Sequence, residues 1–271
     1  MKSILVHIND DDGLEGRLQS ALDIARTFDG HVTCLQAVSF EVFAPGDIYG
    51  SVLEAAMPVI KENAAKLREK IEADLANEDV SWDWIFQYGM AEHRLLEQSA
   101  IHDLVVVGSR DIGENDPRTS HLVGDLVMRA RTPVLVVPQG QTGFDCSGPA
   151  MVAWNGSTEA SIALRAAVPI LRKASKVTLA TVTEEDERQR FDLPPTDGAE
   201  YLSRHGVESE MVDIPKGDAP VSDTLLSAAR ARGCSYMVMG AYGHSRLAEL
   251  LWGGVTHRAL SDPQIPIVIA H

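Results

Sequence analysis

Leu104-Val105-Val106-Val107-Gly108 and Tyr236-Met237-Val238-Met239-Gly240 are two apolar runs, each closed by a glycine. A run that is apolar at every position predicts a strand buried on both faces, as in a parallel sheet with helices on both sides. Behind each lies a second run headed by proline, Pro133-Val134-Leu135-Val136-Val137-Pro138 and Pro266-Ile267-Val268-Ile269. Ahead of each lies a glycine between a strand pattern and a helix pattern, Gly89 in one case and Gly217 in the other. The offsets between matching anchors are 128, 132 and 133 residues, which predicts a duplicated unit with small loop changes.

Working outward, Ser3 to Ile8 reads as the first strand of the first copy. Leu14, Leu18, Ala21, Leu22 and Ala25 recur at helical spacing, Gly30 closes that helix, and His31 to Val38 is a second strand. A long helix over about 51–76 follows an irregular apolar stretch from Phe40 to Tyr49, which is expected to pack on its own domain. Trp82 to Phe86 alternates like a strand that packs the two tryptophans on helices, Ala91 to Ile101 is a helix, and another spans about 120–131. The second copy repeats the order. Ala150 to Trp154, Val177 to Val182 and Val207 to Ile214 are strands, and Glu159 to Leu171 and Gly198 to His205 are helices. Further helices span about 220–232 and begin at Gly254. The expected fold is α/β: two tandem Rossmann-like domains, each a five-stranded parallel sheet flanked by helices. The expected boundaries are 1–140 and 149–271, with a linker over 139–148 that starts Gln139-Gly140-Gln141-Thr142-Gly143.

The 271 residues are 45 % apolar and carry 24 basic against 39 acidic side chains, a net charge of −15. That balance argues against nucleic-acid binding through a broad basic surface. No apolar run reaches the roughly 18 residues of a membrane span, and the opening strand turns polar at Asn9-Asp10-Asp11-Asp12, too early for a signal-peptide core. Cys34, Cys146 and Cys234 stand far apart, which fits a reducing cytoplasm and provides neither a metal nor a disulfide framework. The charge is uneven: residues 1–145 sum to −12 and residues 146–271 to −3.

In open α/β sheets ligands bind beyond the carboxyl ends of the strands, where the strand order reverses. The richest such loop is Gly240-Ala241-Tyr242-Gly243-His244-Ser245-Arg246, running through Leu251-Trp252 to Gly253-Gly254-Val255-Thr256. Gly240 and Gly243 permit a sharp turn and a close backbone approach. Gly253 and Gly254 stand where a helix begins, so free N–H groups and the helix dipole can receive a phosphate, with the Thr256 hydroxyl as a further donor.

This Gly-x2-Gly-x9-Gly spacing resembles the ATP-binding signature of the universal stress protein family, and the resemblance extends over the whole chain as two tandem copies. It implies an adenine-nucleotide alpha-hydrolase-like fold with ribose near Asn155 and adenine near Val182. It places the phosphates on Gly240, Gly243, Gly253, Gly254 and Thr256, with Met239, His244 and Val255 completing the site. Two positions depart from the family pattern. Asn155 replaces the usual aspartate, keeping an oxygen acceptor without the charge, and Gly254 stands where the family has serine or threonine. The resemblance implies a cytoplasmic stress-response regulator that binds ATP, ADP or AMP, with Mg2+ bridging the phosphates and no catalytic residue of its own. The two copies resemble a dimer fused into one chain, a pseudo-dimer that brings 133–138 against 266–270; association of whole chains into a homodimer is a further option. The competing readings are a slow ATP hydrolase or nucleotidyl-transfer enzyme relying on His244 and Arg246, and a scaffold that has lost ligands in both halves.

The first copy departs further. Asp111 takes the second-glycine position, twelve residues then precede Gly124, and Asp125 follows where a phosphate-binding hydroxyl belongs. Aspartates there compete with a phosphate for the helix N-terminus, so this copy is expected to have lost the nucleotide, with Arg110 and Arg118 as surface cations. Asp10, Asp11 and Asp12 are expected to form a solvated turn, with one of them capping the next helix and no metal bound. No hydrolase elbow, Walker loop, zinc-protease or EF-hand pattern occurs.

Overall fold

The computed structural model describes residues 1–39, 49–110, 120–183, 193–241, 260 and 263–271. The first half runs β1 (Ser3–Ile8), α1 (Leu14–Phe28), β2 (His31–Val38), α2 (Tyr49–Leu75) and β3 (Ser81–Tyr88). It continues through α3 (Ala91–Ser99), β4 (Leu104–Gly108), α4 (His121–Arg129) and β5 (Val134–Val137). The second half runs β6 (Ala150–Ala153), α5 (Thr158–Leu171), β7 (Val177–Thr183), α6 (Pro195–Arg204) and β8 (Ser209–Pro215). It ends with α7 (Val221–Ala231), β9 (Tyr236–Gly240) and β10 (Ile267–Ala270). The irregular stretch at 40–48 and the helix expected from Gly254 lie outside the described residues, apart from Leu260, which is helical and buried.

Where boundaries differ from the sequence reading, the reason is local. α6 begins at Pro195 and not at Gly198, because a proline in the first helical turn has no N–H to lose. β8 begins two residues after Val207. Gly206, at φ +73°, closes α6 in a Schellman turn in which Val207 N–H donates to Leu202 O at 3.0 Å.

Among the described residues ten strands form a single sheet in the order β3-β2-β1-β4-β5-β10-β9-β6-β7-β8. Within each half all neighbours are parallel, and the two halves have the same strand order. The expected meeting of 133–138 with 266–270 is an antiparallel ladder, with Val136 opposite Ile267, Leu135 opposite Val268 and Val134 opposite Ile269. The two five-stranded parallel sets are thus joined edge to edge into one continuous sheet. β4, β5 and β10 are buried at every position, as apolar strands between two helix layers must be. The outer strands β3 and β8 have more exposed patterns and carry the chain's alternating sequences. Trp82 and Trp84 of β3 are half-buried, and the Arg68 guanidinium of α2 lies 5.8 Å from the Trp84 ring.

Helices cover both faces. α1, α2, α5 and α6 pack on the face presented by Ile4, Val6 and Cys34, and α3, α4 and α7 on the face presented by Leu5, Val105 and Met237. Among the described residues no helix is long and apolar enough to cross a membrane.

The segment joining the halves is packed against α1. Phe144 and Cys146 are buried, the Phe144 ring lies 5.0 Å from that of Tyr236, and the Phe144 N–H donates to Asp23 Oδ2 at 2.9 Å. Gly16 of α1 faces this segment so closely that a methyl group there would stand 2.2 Å from the Gln141 carbonyl oxygen. Gly16→Ala is therefore expected to displace the segment and lower the unfolding free energy by about 1–3 kcal/mol. Urea denaturation measures this, and an unchanged midpoint would mean that the segment yields without strain.

β1 also buries an imidazole. Burial, and then the nearby Arg17 charge, holds the His7 pKa down at about 3, so the folded protein keeps it neutral. The unfolded chain takes up that proton near the ordinary value of about 6.5. The contribution of neutral His7 is thus full above that value and declines as pH falls towards 3, with a slope of at most about 1.4 kcal/mol per pH unit. His7→Gln should flatten that acid limb of stability against pH; an identical limb in both proteins would exclude His7 as its source.

Candidate functional site

The strand order reverses twice: β1 lies between β2 and β4, and β6 lies between β7 and β9. Each reversal leaves a crevice at the carboxyl ends of the strands, because the connecting helices depart to opposite faces.

At the second reversal the chain leaves β6 through Asn155-Gly156-Ser157. Asn155 Oδ1 accepts the Ser157 N–H at 3.2 Å, Gly156 takes φ +77°, and Ser157 Oγ caps α5 by accepting the Ala160 N–H at 3.2 Å. This places the first turn of α5 directly over the end of β9. A methyl on Gly240 would stand 2.5 Å from the Glu159 carbonyl carbon and 2.6 Å from the Ala160 nitrogen. Glycine at 240 is thus required by helix packing before any ligand is considered.

Val182, near the end of β7, pairs with Ile214 of β8. Together with Ala153 and Val221 these residues are partly buried on the α7 face and form an apolar shelf at the strand ends. Met239 lies beneath, in the core, at 4 % exposure. On the opposite face the Trp154 indole N–H donates to the Leu193 carbonyl at 3.2 Å, and the Leu193 N–H donates to the Gly156 carbonyl at 3.0 Å. The structure thus gathers four expected residues, Asn155, Val182, Met239 and Gly240, at the ends of three adjacent strands. Gly243, His244, Gly253, Gly254, Val255 and Thr256 lie outside the described residues.

The first reversal is filled by a side chain that the sequence reading did not select. Arg17 of α1, 2 % exposed, donates from Nε to the His7 carbonyl at 3.1 Å and from Nη2 to the Asn9 carbonyl at 3.3 Å. Its two terminal nitrogens grip both oxygens of Asp11 at 2.8 Å each. The guanidinium rests at the end of β4, where a methyl on Gly108 would lie 2.7 Å from Nη1. The signal was present in the sequence, since Arg17 falls within the stripe Leu14, Leu18, Ala21, Leu22. A charge on the buried stripe of a helix needs a partner nearby.

Two expectations for this half change. Asp11 is not merely part of a solvated turn: besides accepting the Gly13 N–H at 2.8 Å ahead of α1, it anchors the buried arginine. Asp125 does not sit at the start of a helix. α4 begins after Ser120, whose Oγ caps it by accepting the Val123 N–H at 3.1 Å, so Gly124 and Asp125 lie a turn further in. Asp125 there reaches Arg129 at 3.7 Å across a half-exposed helix face. Counted back from the prolines, Ser120 is the counterpart of Gly253, and the spacing after Gly108 had obscured this. Asp111 and Arg118 lie outside the described residues, and Arg110 is exposed. Among the described residues no three His, Cys, Asp or Glu side chains are arranged to hold a metal ion.

The profile of the Universal stress protein family matches residues 148–271. Comparison with the curated proteins returns no match. Among solved structures, a universal stress protein from Archaeoglobus fulgidus DSM 4304 is 13 % identical with a TM-score of 0.75, over 98 % of this chain and 97 % of that one. A putative universal stress protein from Pseudomonas aeruginosa UCBPP-PA14 is 16 % identical with a TM-score of 0.58, over 100 % and 93 %. A functionally unknown protein from Pseudomonas aeruginosa PAO1 is 18 % identical with a TM-score of 0.57, over 100 % and 92 %. At such identities the structural matches establish the shared fold, and they do so from end to end of the chain. Residues 148–271 accordingly belong to the universal stress protein family, and the half that precedes them is built on the same α/β plan.

Proposed function

We propose that the chain is a cytoplasmic stress-response regulator of two domains, 1–140 and 149–271, that binds one adenine nucleotide (ATP, ADP or AMP) in the second. The observation that carries this reading is the strand reversal at β6, where Asn155, Val182 and Gly240 share one edge of a domain of this family. The shelf of Ala153, Val182 and Ile214 offers an apolar bed for a purine. Asn155 presents an amide where the family pattern has a carboxylate, so the ribose meets a neutral group. The backbone N–H groups of Gly253 and Gly254, with Gly243, Val255 and the Thr256 hydroxyl, receive the phosphates. In this reading His244 belongs to the same phosphate site, and Mg2+ offsets the phosphate charge.

The first half contributes no second nucleotide site in this reading, because Arg17 and Asp11 occupy its crevice and saturate each other. Isothermal titration with ATP is expected to give one site per chain; two sites would contradict the asymmetry, and no heat with ATP, ADP or AMP at millimolar concentration would overturn nucleotide binding altogether. Val182→Glu, which sets a carboxylate on the shelf, should weaken ATP at least about tenfold, the equivalent of about 1.4 kcal/mol. Arg17→Ala leaves Asp11 and two carbonyls without their donor and should cost about 3–5 kcal/mol of stability. It should leave the single ATP site intact in protein kept folded at low temperature. Loss of ATP binding in that folded variant would show that the two crevices are coupled.

A further inference from the structure

β3 is an outermost strand, and among the described residues its one strand neighbour is β2. The Gly89 N–H donates back to the Val38 carbonyl of β2 at 2.9 Å. Backbone groups alternate in direction along a strand, so Asp83, Ile85 and Gln87 also turn theirs towards β2. Trp82, Trp84, Phe86 and Tyr88 then turn their N–H and C=O groups outward. The Tyr88 carbonyl accordingly accepts from Arg94 Nε at 2.9 Å.

Those same four residues are the aromatic ones, and the two-residue period of a strand sets them on one face. Trp82 and Trp84 are half-buried against the core, while Phe86 and Tyr88 remain 36 % and 38 % exposed, edge to face at 4.9 Å. The strand thus presents a row of outward backbone groups alongside a strip of aromatic rings. Outer strands are commonly blunted against further pairing. β8, at the far side of the sheet, carries Glu210, Asp213 and Pro215, whose nitrogen has no hydrogen to offer. β3 carries a single charge, Asp83, which lies 3.4 Å from His31.

A row of this kind is complementary to itself. In an antiparallel pair, two outward-turned residues set opposite each other exchange both of their N–H···O bonds. A two-fold axis at Ile85 places Trp84 of one copy opposite Phe86 of the other, and Trp82 opposite Tyr88. It is the register in which all four aromatic residues face one another, and such cross-strand pairs stabilise antiparallel strands. Asp83 falls opposite Gln87, so like charges do not meet. The strand ends match as well. Asp79 is exposed just ahead of β3 and Arg94 stands at its carboxyl end, so antiparallel pairing brings opposite charges together twice.

We propose that two copies of the chain associate through β3, extending the sheet across a two-fold axis at Ile85. The contact belongs to the first half and does not depend on nucleotide binding in the second. One strand and its aromatic strip make a narrow interface, so the dimer is reversible, with a dissociation constant in the micromolar range.

Sedimentation velocity on the full chain without nucleotide is expected to show a monomer–dimer equilibrium. Phe86→Lys sets a charge opposite Trp84, and Phe86→Pro deletes an N–H that points away from β2. Each should raise the dissociation constant at least about tenfold, and Phe86→Lys suffices if the proline variant does not fold. Met211→Lys, at an exposed position of β8, should change nothing. The register has its own test. Ile85→Cys sets two thiols directly opposite in a non-hydrogen-bonded pair, with Cα atoms about 4.5 Å apart and within reach of a disulfide. Copper phenanthroline should therefore link Ile85→Cys into a covalent dimer and leave Asp83→Cys unlinked, the three native cysteines being buried. A chain that stays monomeric at millimolar concentration overturns the proposal. So does a dimer that is as tight in Phe86→Lys as in the wild type, one lost in Met211→Lys, or a cross-link in Asp83→Cys but not in Ile85→Cys.

Discussion

Everything in this molecule is arranged around a short antiparallel ladder, Val134 to Val136 against Ile267 to Ile269. β5 and β10 are four residues long and buried at every position. Each would otherwise end its half-sheet in an apolar edge with unpaired N–H and C=O groups, a template for uncontrolled association. Pairing them consumes both edges and leaves β3 and β8 outermost. Those strands carry Asp83, Glu210 and Asp213 among their exposed or half-exposed positions, as outer edges should. The ladder also dictates the path between the halves. The chain leaves β5 and must pass β10 and β9 to reach β6, so the connection crosses one face of the sheet. Phe144 against Tyr236, and Gln141 against Gly16, are the contacts of that crossing.

Two strand reversals with the same topology have been put to different uses. In the second half a small residue, Gly240, lets α5 start close to β9, and the shelf around Val182 stays partly open. In the first half Gly108 at the matching position accommodates the Arg17 guanidinium, and Asp11 closes the crevice as a bidentate partner. A buried ion pair of this kind adds little net stability against an apolar alternative, yet losing one partner is costly. The first half thus retains the reversal but fills it from within. The strongly acidic balance of that half is consistent with a surface that repels phosphate, although a summed charge does not determine a local site.

The apolar runs, the glycines that close β4 and β9, and the prolines that open β5 and β10 were legible in the sequence. Strands buried on both faces cannot tolerate polar interruptions, and this leaves a pattern that needs no partner to be seen. The positions of Asn155, Val182, Met239 and Gly240 at strand ends were legible for a related reason, because each apolar run shows where its strand stops. Arg17 was missed because a helix stripe was judged by its leucines and alanines. Asp125 was misplaced because counting from Gly108 passed over a loop whose length differs between the halves. The Ser120 cap, counted from Pro133, fixes the start of α4 correctly.

By itself the sequence determined the strand and helix order, the internal duplication and the family of the second half. These depend on local periodicity and on short-range spacing, which the chain carries whether folded or not. Only the tertiary structure decided that the last strands of the two halves join antiparallel, with Leu135 opposite Val268. Only the folded chain brings Arg17 to Asp11 across the end of β4. Those outcomes depend on which groups meet after the strands are ordered and the helices packed, and such distances are not written in residue spacing.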